Sequence, residues 1–299
     1  MSGFSRAFVV VNTRSGGHDE ERIRRALEGS LGAAGVAWEW ALREKGQSRR
    51  DLTRQAIADG CDLIVAAGGD GTVAKCADQV SQSDAVLGIL PTGTGNLLAR
   101  ELGVPMELDE AARTLVEGRL RAIDGMEVNG KRRCFSHVSL GTYSRIASMD
   151  TPEDKKTWGR FAYLRLLLKE VGAGKSWRFR LEHDGRQRRV RASLILAANI
   201  GATGLPGLQW RQDARPDDGV IDVCIVRART PGEYLQLLGD AWMGRHREHE
   251  AMEYLEVRER LVVATGDGMP VRGDGKEIGE GEAAIEVIPR AVKVLVPGG

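Results

Sequence analysis

"DLIVAAGGDGTVAKC", residues 62–76, decides the reading of the fold. An apolar run ends in Gly68-Gly69, one acid follows at Asp70, and Gly71-Thr72 lead into helically spaced residues. A continuous apolar strand belongs to a parallel sheet covered on both faces. Glycines at its end let the backbone bend sharply and let a ligand approach the main chain. The amides that open the next helix then face solvent, an arrangement that binds phosphate. A bare acid there would repel phosphate, so Asp70 reads as part of a magnesium–phosphate site. The competing reading is a plain Gly-rich turn with Asp70 as a helix cap.

The same order recurs downstream. "AVLGILP" (85–91) is a strand, and "TGTGNLLAR" (92–100) is a Gly-rich turn entering a helix. Two such turns at the ends of neighbouring parallel strands can face one crevice. Gly93-Thr94-Gly95 and residues 68–72 would then hold one polyphosphate. A third turn, "NTRSGG" (12–17), follows the strand 7–12. Residues 19–35 form a helix with Ile23, Leu27 and Leu31 in one stripe and Asp19 as its N-cap. Residues 36–42 read as a strand and 49–60 as a helix closed by Gly60. This alternation predicts a parallel sheet with helices on both faces. There is no G-x-x-x-x-G-K-[ST], and "GTGNLL" fits G-x-G-x-x-G/A only through its second glycine. Kinase H-R-D and D-F-G motifs, G-x-S-x-G and H-E-x-x-H are also missing.

Past Asp124 the pattern becomes antiparallel. In "WRFRLEHDGRQRRVRASLILAAN" (177–199) Trp177, Phe179 and Leu181 alternate with polar residues, and Asp184-Gly185 supplies a tight turn. Val190, Ala192, Leu194 and Leu196 continue the apolar face. Arg178, Arg180, Arg189 and Arg191 fall on the polar side, as a solvated face or a contact for anionic headgroups. Further strands are expected at 219–228, 254–265, 283–289 and 291–297, which makes a β-sandwich. A helix at 158–171 reads as packed core, with a flap beside a lipid tail as its functional alternative. His246 and His249 are placed on a helix, as surface residues.

The length, 299 residues with 42% apolar content, suggests two domains. Their expected ranges are 1–122 and 123–299, with the last segment free to return to the first domain. Forty-three basic and 42 acidic residues leave a net charge of +1, so no global field draws the chain to nucleic acid or to an anionic membrane, and either partner would need a local patch. Cys61, Cys76, Cys134 and Cys224 form no C-x-x-C and read as buried thiols of a reducing compartment. Neither a signal peptide nor a run of ~20 apolar residues is visible, so a cytoplasmic protein is expected.

Taken in order, these segments resemble the diacylglycerol-kinase catalytic family, which includes bacterial lipid kinases and the sphingosine and ceramide kinases. "VVVNTRSGG" is similar to its opening N-P-x-S-G turn, and "AAGGDGT" matches its G-G-D-G-T. "GILPTGTGNLLAR" resembles P-x-G-T-x-N-x-x-A-R, "DARPDDGVIDVCIV" its D-D-G-x-x-D strand, and "EVIPRAVKVLVP" its last segment. The resemblance implies a Rossmann-like α/β nucleotide domain, a C-terminal β-sandwich domain and an active site in the cleft between them. It implies transfer of the γ-phosphoryl group of ATP, with Mg2+, to a hydroxyl of a membrane lipid. Asn12, Ser15 and Gly16 would border the nucleotide. Gly69, Gly71, Thr72, Gly93, Thr94 and Asn96 would belong to the nucleotide site, and Asp70 and Asp124 would organise magnesium. A structural metal would take Arg215 and Val220 by carbonyl and Asp218 by carboxylate; the alternative there is an Asx turn without metal. A lipid partner implies peripheral contact with the inner face of a membrane, by a monomer or homodimer.

The chain departs from the family near its end. The family places D-G-E before its final strands, with the glutamate as general base. Here the order is Asp274-Gly275-Lys276-Glu277. A lysine ammonium has no lone pair with which to accept a proton. Asp274 and Glu277 are the remaining catalytic candidates, and Glu277 would need a bulge to re-aim it. Val73-Ala74-Lys75 stands where many members have x-N-E, and Asn96-Leu97 where many bacterial members have Asn-Asp. The second departure is shared with sphingosine-type kinases and leans toward a sphingoid or ceramide acceptor. Competing readings are a non-catalytic nucleotide- or lipid-binding protein, motivated by Lys276, and a soluble-metabolite kinase of the NAD kinase kind.

Overall fold

The computed structural model describes residues 3–12, 20–42, 48–142, 144, 175–202, 215–243, 249–266 and 268–298. The helix expected at 158–171, the turn at 13–17, Asp19 and His246 lie outside them. The chain divides into a unit of residues 1–125 with 288–299 and a unit of residues 126–287.

The first unit is built on parallel strands β1 (Arg6–Val11), β2 (Ala37–Leu42), β3 (Leu63–Gly68) and β4 (Val86–Pro91) in the order β2-β1-β3-β4. Every residue of β3 and β4 is buried, the mark of strands covered on both faces. The end of the last strand, β16 (Glu282–Val296), adds beside β4 with Val294 level with Leu87. Helix α1 (Glu20–Leu27), its π-helical extension Glu28–Gly32 and α5 (Leu108–Glu117) pack together. Helices α2 (Arg49–Ala58) and α3 (Asp70–Val80) form a separate pair. Val73, Cys76, Ala77 and Val80 give α3 its buried stripe. A short α4 (Leu97–Glu101) follows β4. Strand β5 (Arg119–Val128) runs unbroken through the point where the chain passes from one unit to the next.

The second unit is a sandwich. One antiparallel sheet contains the start of β16, β13 (Arg260–Ala264), β8 (Trp177–His183) and β9 (Arg186–Ala192), with β6 (Arg132–Cys134) against β5. The other runs β12 (Met252–Val257), β11 (Ile221–Val226), β10 (Leu194–Ala198), β7 (His137–Gly141), β14 (Pro270–Gly273) and β15 (Lys276–Glu280). Phe179, Leu181, Ile195, Val223, Leu261, Val271 and Ile285 share the core between them. The turn of the β8–β9 hairpin has Asp184 at φ 44° and Gly185 at φ 77°, the left-handed pair that such tight hairpins need.

Several expected elements are corrected. Leu194 and Leu196 do not continue the apolar face of β9. The chain leaves that strand at Ser193 and enters the other sheet, where both leucines pack with Leu237 of an unexpected helix, α6 (Pro231–Trp242). Residues 254–265 are parts of two strands joined at Arg258-Glu259, not one. Residues 283–289 and 291–297 belong to one strand that bends at Arg290, φ 53°. His249 is not helical; its Nδ1 accepts the Ala251 amide at 3.0 Å.

All four cysteines are free and buried. Burial pushes the Cys76 thiol up to about 11 and the Cys224 thiol up to about 12. An unfolded thiol titrates near ~8.5. The folded pKa values are raised, so this contribution is whole below pH ~8.5 and is lost as pH climbs through 11 and 12. The urea midpoint of the protein should therefore fall between those limits more steeply than that of a Cys76→Ala/Cys224→Ala variant. Equal slopes would show that these thiols do not govern alkaline stability.

Candidate active site

β1, β3 and β4 end side by side, with Val11 level with Ala67 and Gly68 level with Pro91. The chain leaves β1 for β2 on one side, then crosses back to β3 on the other. At such a reversal the connections part and open a crevice beyond the carboxyl ends of the strands. Asn12 stands at the end of β1, its amide bonded to the Ala67 carbonyl at 2.9 Å. Its Oδ1 accepts a hydrogen bond from the Arg49 guanidinium at 2.5 Å.

The glycines of the two turns serve contact rather than unusual torsions: Gly68, Gly69, Gly93 and Gly95 all avoid the left-handed region. A Cβ on Gly93 would lie 2.3 Å from the Gly69 Cα, and one on Gly95 2.5 Å from Asp70 Oδ2. The left-handed residue is Asn96, at φ 51° and ψ 46°. Its side chain closes the second turn, accepting the Gly93 amide at 3.1 Å and donating to the Gly93 carbonyl at 2.8 Å.

Asp70 ties the two turns together. Its Oδ2 accepts the Asn96 amide at 3.0 Å and its Oδ1 the Leu97 amide at 2.5 Å. It is the first residue of α3, yet it caps α4, where its charge suits the positive end of the helix. Among the described residues, the amides of Asp70, Gly71, Thr94 and Gly95 find no acceptor, so they are open to an anion. Thr72 differs: it is buried, and its amide bonds the Gly69 carbonyl at 2.8 Å. A carboxylate oxygen has two lone pairs, so each Asp70 oxygen keeps one free of these amide bonds. Magnesium bound chiefly by phosphate oxygens and water needs only one or two carboxylates. The residues present fit such an ion.

Asp124 is fully buried in the first unit, and its Oδ1 accepts the Arg290 amide at 2.7 Å, which holds the bend of β16. Arg49 was missed by sequence reasoning. It opens α2 beside Arg50, two cations at the positive end of a helix. Such a placement calls for partners elsewhere, and Arg50 finds one in the buried Asp78 at 2.7 Å. Ser15 and Gly16 lie outside the described residues.

In the second unit, the Asp274 carboxylate accepts the amides of Phe135 and Ser136 at 2.9 Å and of His137 at 3.2 Å. Asp274 and Gly275, at φ 46° and 73°, form the β14–β15 turn. Lys276 pairs with Gly273, and Glu277 with Arg272. The register shift lies beyond them, where Arg272 and Val271 face Glu277 and Gly279 and leave Ile278 extra. The bulge therefore leaves Glu277 on the opposite face from Lys276. Asp218 Oδ1 accepts the Val220 amide at 3.0 Å, an Asx turn. Arg215 precedes that turn, and among the described residues no group of three or more His, Cys, Asp or Glu side chains could hold a metal.

Asp274→Ala would strip three amides of a charged acceptor, each such bond being worth roughly 1.5–3 kcal/mol. With partial replacement by water, a loss of about 3 kcal/mol in urea unfolding is expected, and a smaller loss for Asp274→Asn, which keeps one acceptor and tolerates the left-handed torsion. An unchanged midpoint in the alanine variant would show that the turn is held by other contacts.

Comparison with known proteins agrees with this architecture. Residues 6–128 match the diacylglycerol kinase catalytic domain, and residues 136–296 match the YegS C-terminal NAD kinase beta sandwich-like domain. A Pseudomonas aeruginosa protein named "Probable lipid kinase YegS-like" is 32% identical, over 98% of this chain and 95% of its own length. A Mycobacterium tuberculosis diacylglycerol kinase is 30% identical over 83% of this chain and 81% of its own. The crystal structure of a diacylglycerol kinase from Bacillus anthracis superposes with a TM-score of 0.76 at 19% identity, covering 99% of this chain and 98% of that one. The chain belongs to the lipid kinase family in which a diacylglycerol kinase catalytic domain is followed by a YegS-type β-sandwich domain.

Proposed function

We propose that the protein is an ATP-dependent lipid kinase that transfers the γ-phosphoryl group to a hydroxyl of a membrane lipid. The observation that carries this reading is the pair of interlocked turns: Asp70 fixes the second turn from the first, and open amides of both lie at neighbouring strand ends. Phosphoryl transfer depends chiefly on positioning and on charge stabilisation. Asp70, Gly71, Thr94 and Gly95 would bind phosphate oxygens by main-chain amides, and Arg49, oriented on Asn12, would add positive charge at the end of β1. Magnesium, held by Asp70 through water and by the phosphates, would neutralise developing charge. The acceptor would be diacylglycerol-like or a sphingoid base or ceramide. The protein would work at the inner face of a membrane; no helix among the described residues is long and apolar enough to cross one.

The test is a phosphorylation assay with radiolabelled ATP and magnesium over a panel of lipids in neutral mixed micelles. A labelled lipid product is expected. The absence of product across the panel, with nucleotide still bound, would favour the non-catalytic reading that Lys276 motivates. Phosphorylation of NAD instead would replace the lipid reading with a soluble acceptor.

A further inference from the structure

The β8–β9 hairpin needs only its inner face. Phe179, Leu181, Val190 and Ala192 fill the sandwich core, and the outer positions are free to carry any strand-compatible residue. Four of the six carry arginine, and the remaining pair is Glu182 with Gln187. Arg178 lies directly opposite Arg191, and Arg180 opposite Arg189, and all four are exposed. Like charges directly opposite on neighbouring strands destabilise a sheet. Little offsets them: Arg180 reaches Glu282 at 3.5 Å with both side chains 54% exposed. Arg191 donates to Ser176 Oγ at 2.8 Å. Arg178 and Arg189 make no ion pair among the described residues.

Charge on a sheet edge can serve to block edge-to-edge pairing. That purpose accounts for arginines on β9, the edge strand, but not for those on β8, which lies between β9 and β13. It would also be met by either sign, whereas two of the three outward cross-strand pairs are Arg–Arg and only the third, Glu182–Gln187, carries an acid, in a chain of net charge +1. A flat, exposed array of forked guanidinium groups complements a surface of phosphates.

We propose that the outer face of the β8–β9 hairpin is the surface by which the protein docks on an anionic lipid bilayer. The proposal rests on the lipid kinase reading for its choice of a bilayer as the partner. Each arginine near such a surface strengthens partitioning about fivefold. Four together therefore hold a near-neutral protein at the membrane at low salt, and more weakly as salt screens the field.

The test is sedimentation with phosphatidylcholine vesicles with and without phosphatidylglycerol, in the absence of ATP. The full chain should bind the anionic vesicles, bind neutral ones far less, and be released by salt. An Arg178→Gln/Arg189→Gln/Arg191→Gln variant should bind on the order of 100-fold more weakly, with an unchanged or higher urea midpoint. The corresponding lysine triple variant should keep most of the binding. Equal binding by the glutamine variant, no preference of the wild type for anionic vesicles, or tighter capture of a duplex DNA oligonucleotide than of vesicles would each overturn the proposal. Because the assay needs no turnover, a chain that binds vesicles but phosphorylates nothing keeps this surface and loses the kinase reading. A chain that phosphorylates lipid in neutral micelles but ignores anionic vesicles does the reverse.

Discussion

Asp70→Asn should lower turnover by at least about 100-fold, the scale expected when a positioned charged group is removed from a phosphoryl-transfer site. The substitution preserves size but changes the two contacts that lock the turns. Asp70 Oδ2 faces the Asn96 amide and Oδ1 faces the Leu97 amide. An asparagine side chain has one acceptor oxygen, so its NH2 group must confront one of these N–H donors. The second turn would then part from the first. Hydrogen bonds to charged groups are worth roughly 1.5–3 kcal/mol each, so a thermal shift of a few degrees should accompany the lost activity. Two measurements separate the roles of the carboxylate. If it only caps α4, nucleotide affinity falls and excess magnesium restores nothing. If it also holds the ion, the apparent magnesium requirement rises as well. Turnover within threefold of wild type would remove Asp70 from the site altogether.

The same residue shows how far sequence reasoning reached. The strand, the turn and the helix were legible because each is local: β3 is a continuous apolar run, Gly68-Gly69 interrupt it, and Val73, Cys76, Ala77 and Val80 recur at helical spacing. The partner of Asp70 was not legible, because Asn96 lies 26 residues away and nothing at Asp70 encodes that distance. From sequence the glycines read as permitting sharp bends and the approach of a ligand to the main chain. Instead Gly69 and Gly93 let two backbones touch, which no local pattern shows. Residues 104–118 went unassigned although Leu108, Ala111, Ala112 and Leu115 give α5 a buried stripe. Helix α6 was overlooked because its Pro231-Gly232 start imitates a loop. The apolar alternation through Leu194 and Leu196 was followed too far, since period 2 cannot reveal that Ser193 passes the chain from one sheet to the other. The candidate site was half legible: the turns could be read, whereas Arg49 on Asn12 and the amides around Asp274 could not.

Lys276→Glu should raise turnover, by as much as ~10²–10⁴ if proton removal from the acceptor hydroxyl limits the wild-type rate. By the family resemblance Lys276 would occupy the position of a glutamate base, and the residues beside it would not replace that group. Glu277 stands across from Arg272 on the other face of the hairpin. Asp274 already accepts three amides, so at most one of its four lone-pair directions is left for a substrate proton. The new glutamate would face the same way as Lys276, with no change of register, and its exposed position makes the effect on folding small. A gain that rises with pH through the carboxylate range would identify the installed group as the base. A rate within threefold of wild type would mean that phosphoryl transfer here needs no base at this turn, positioning and cation charge being enough. A large fall would give Lys276 a role of its own, as a cation facing the transferred group, and would sink the idea that it merely replaces a lost base.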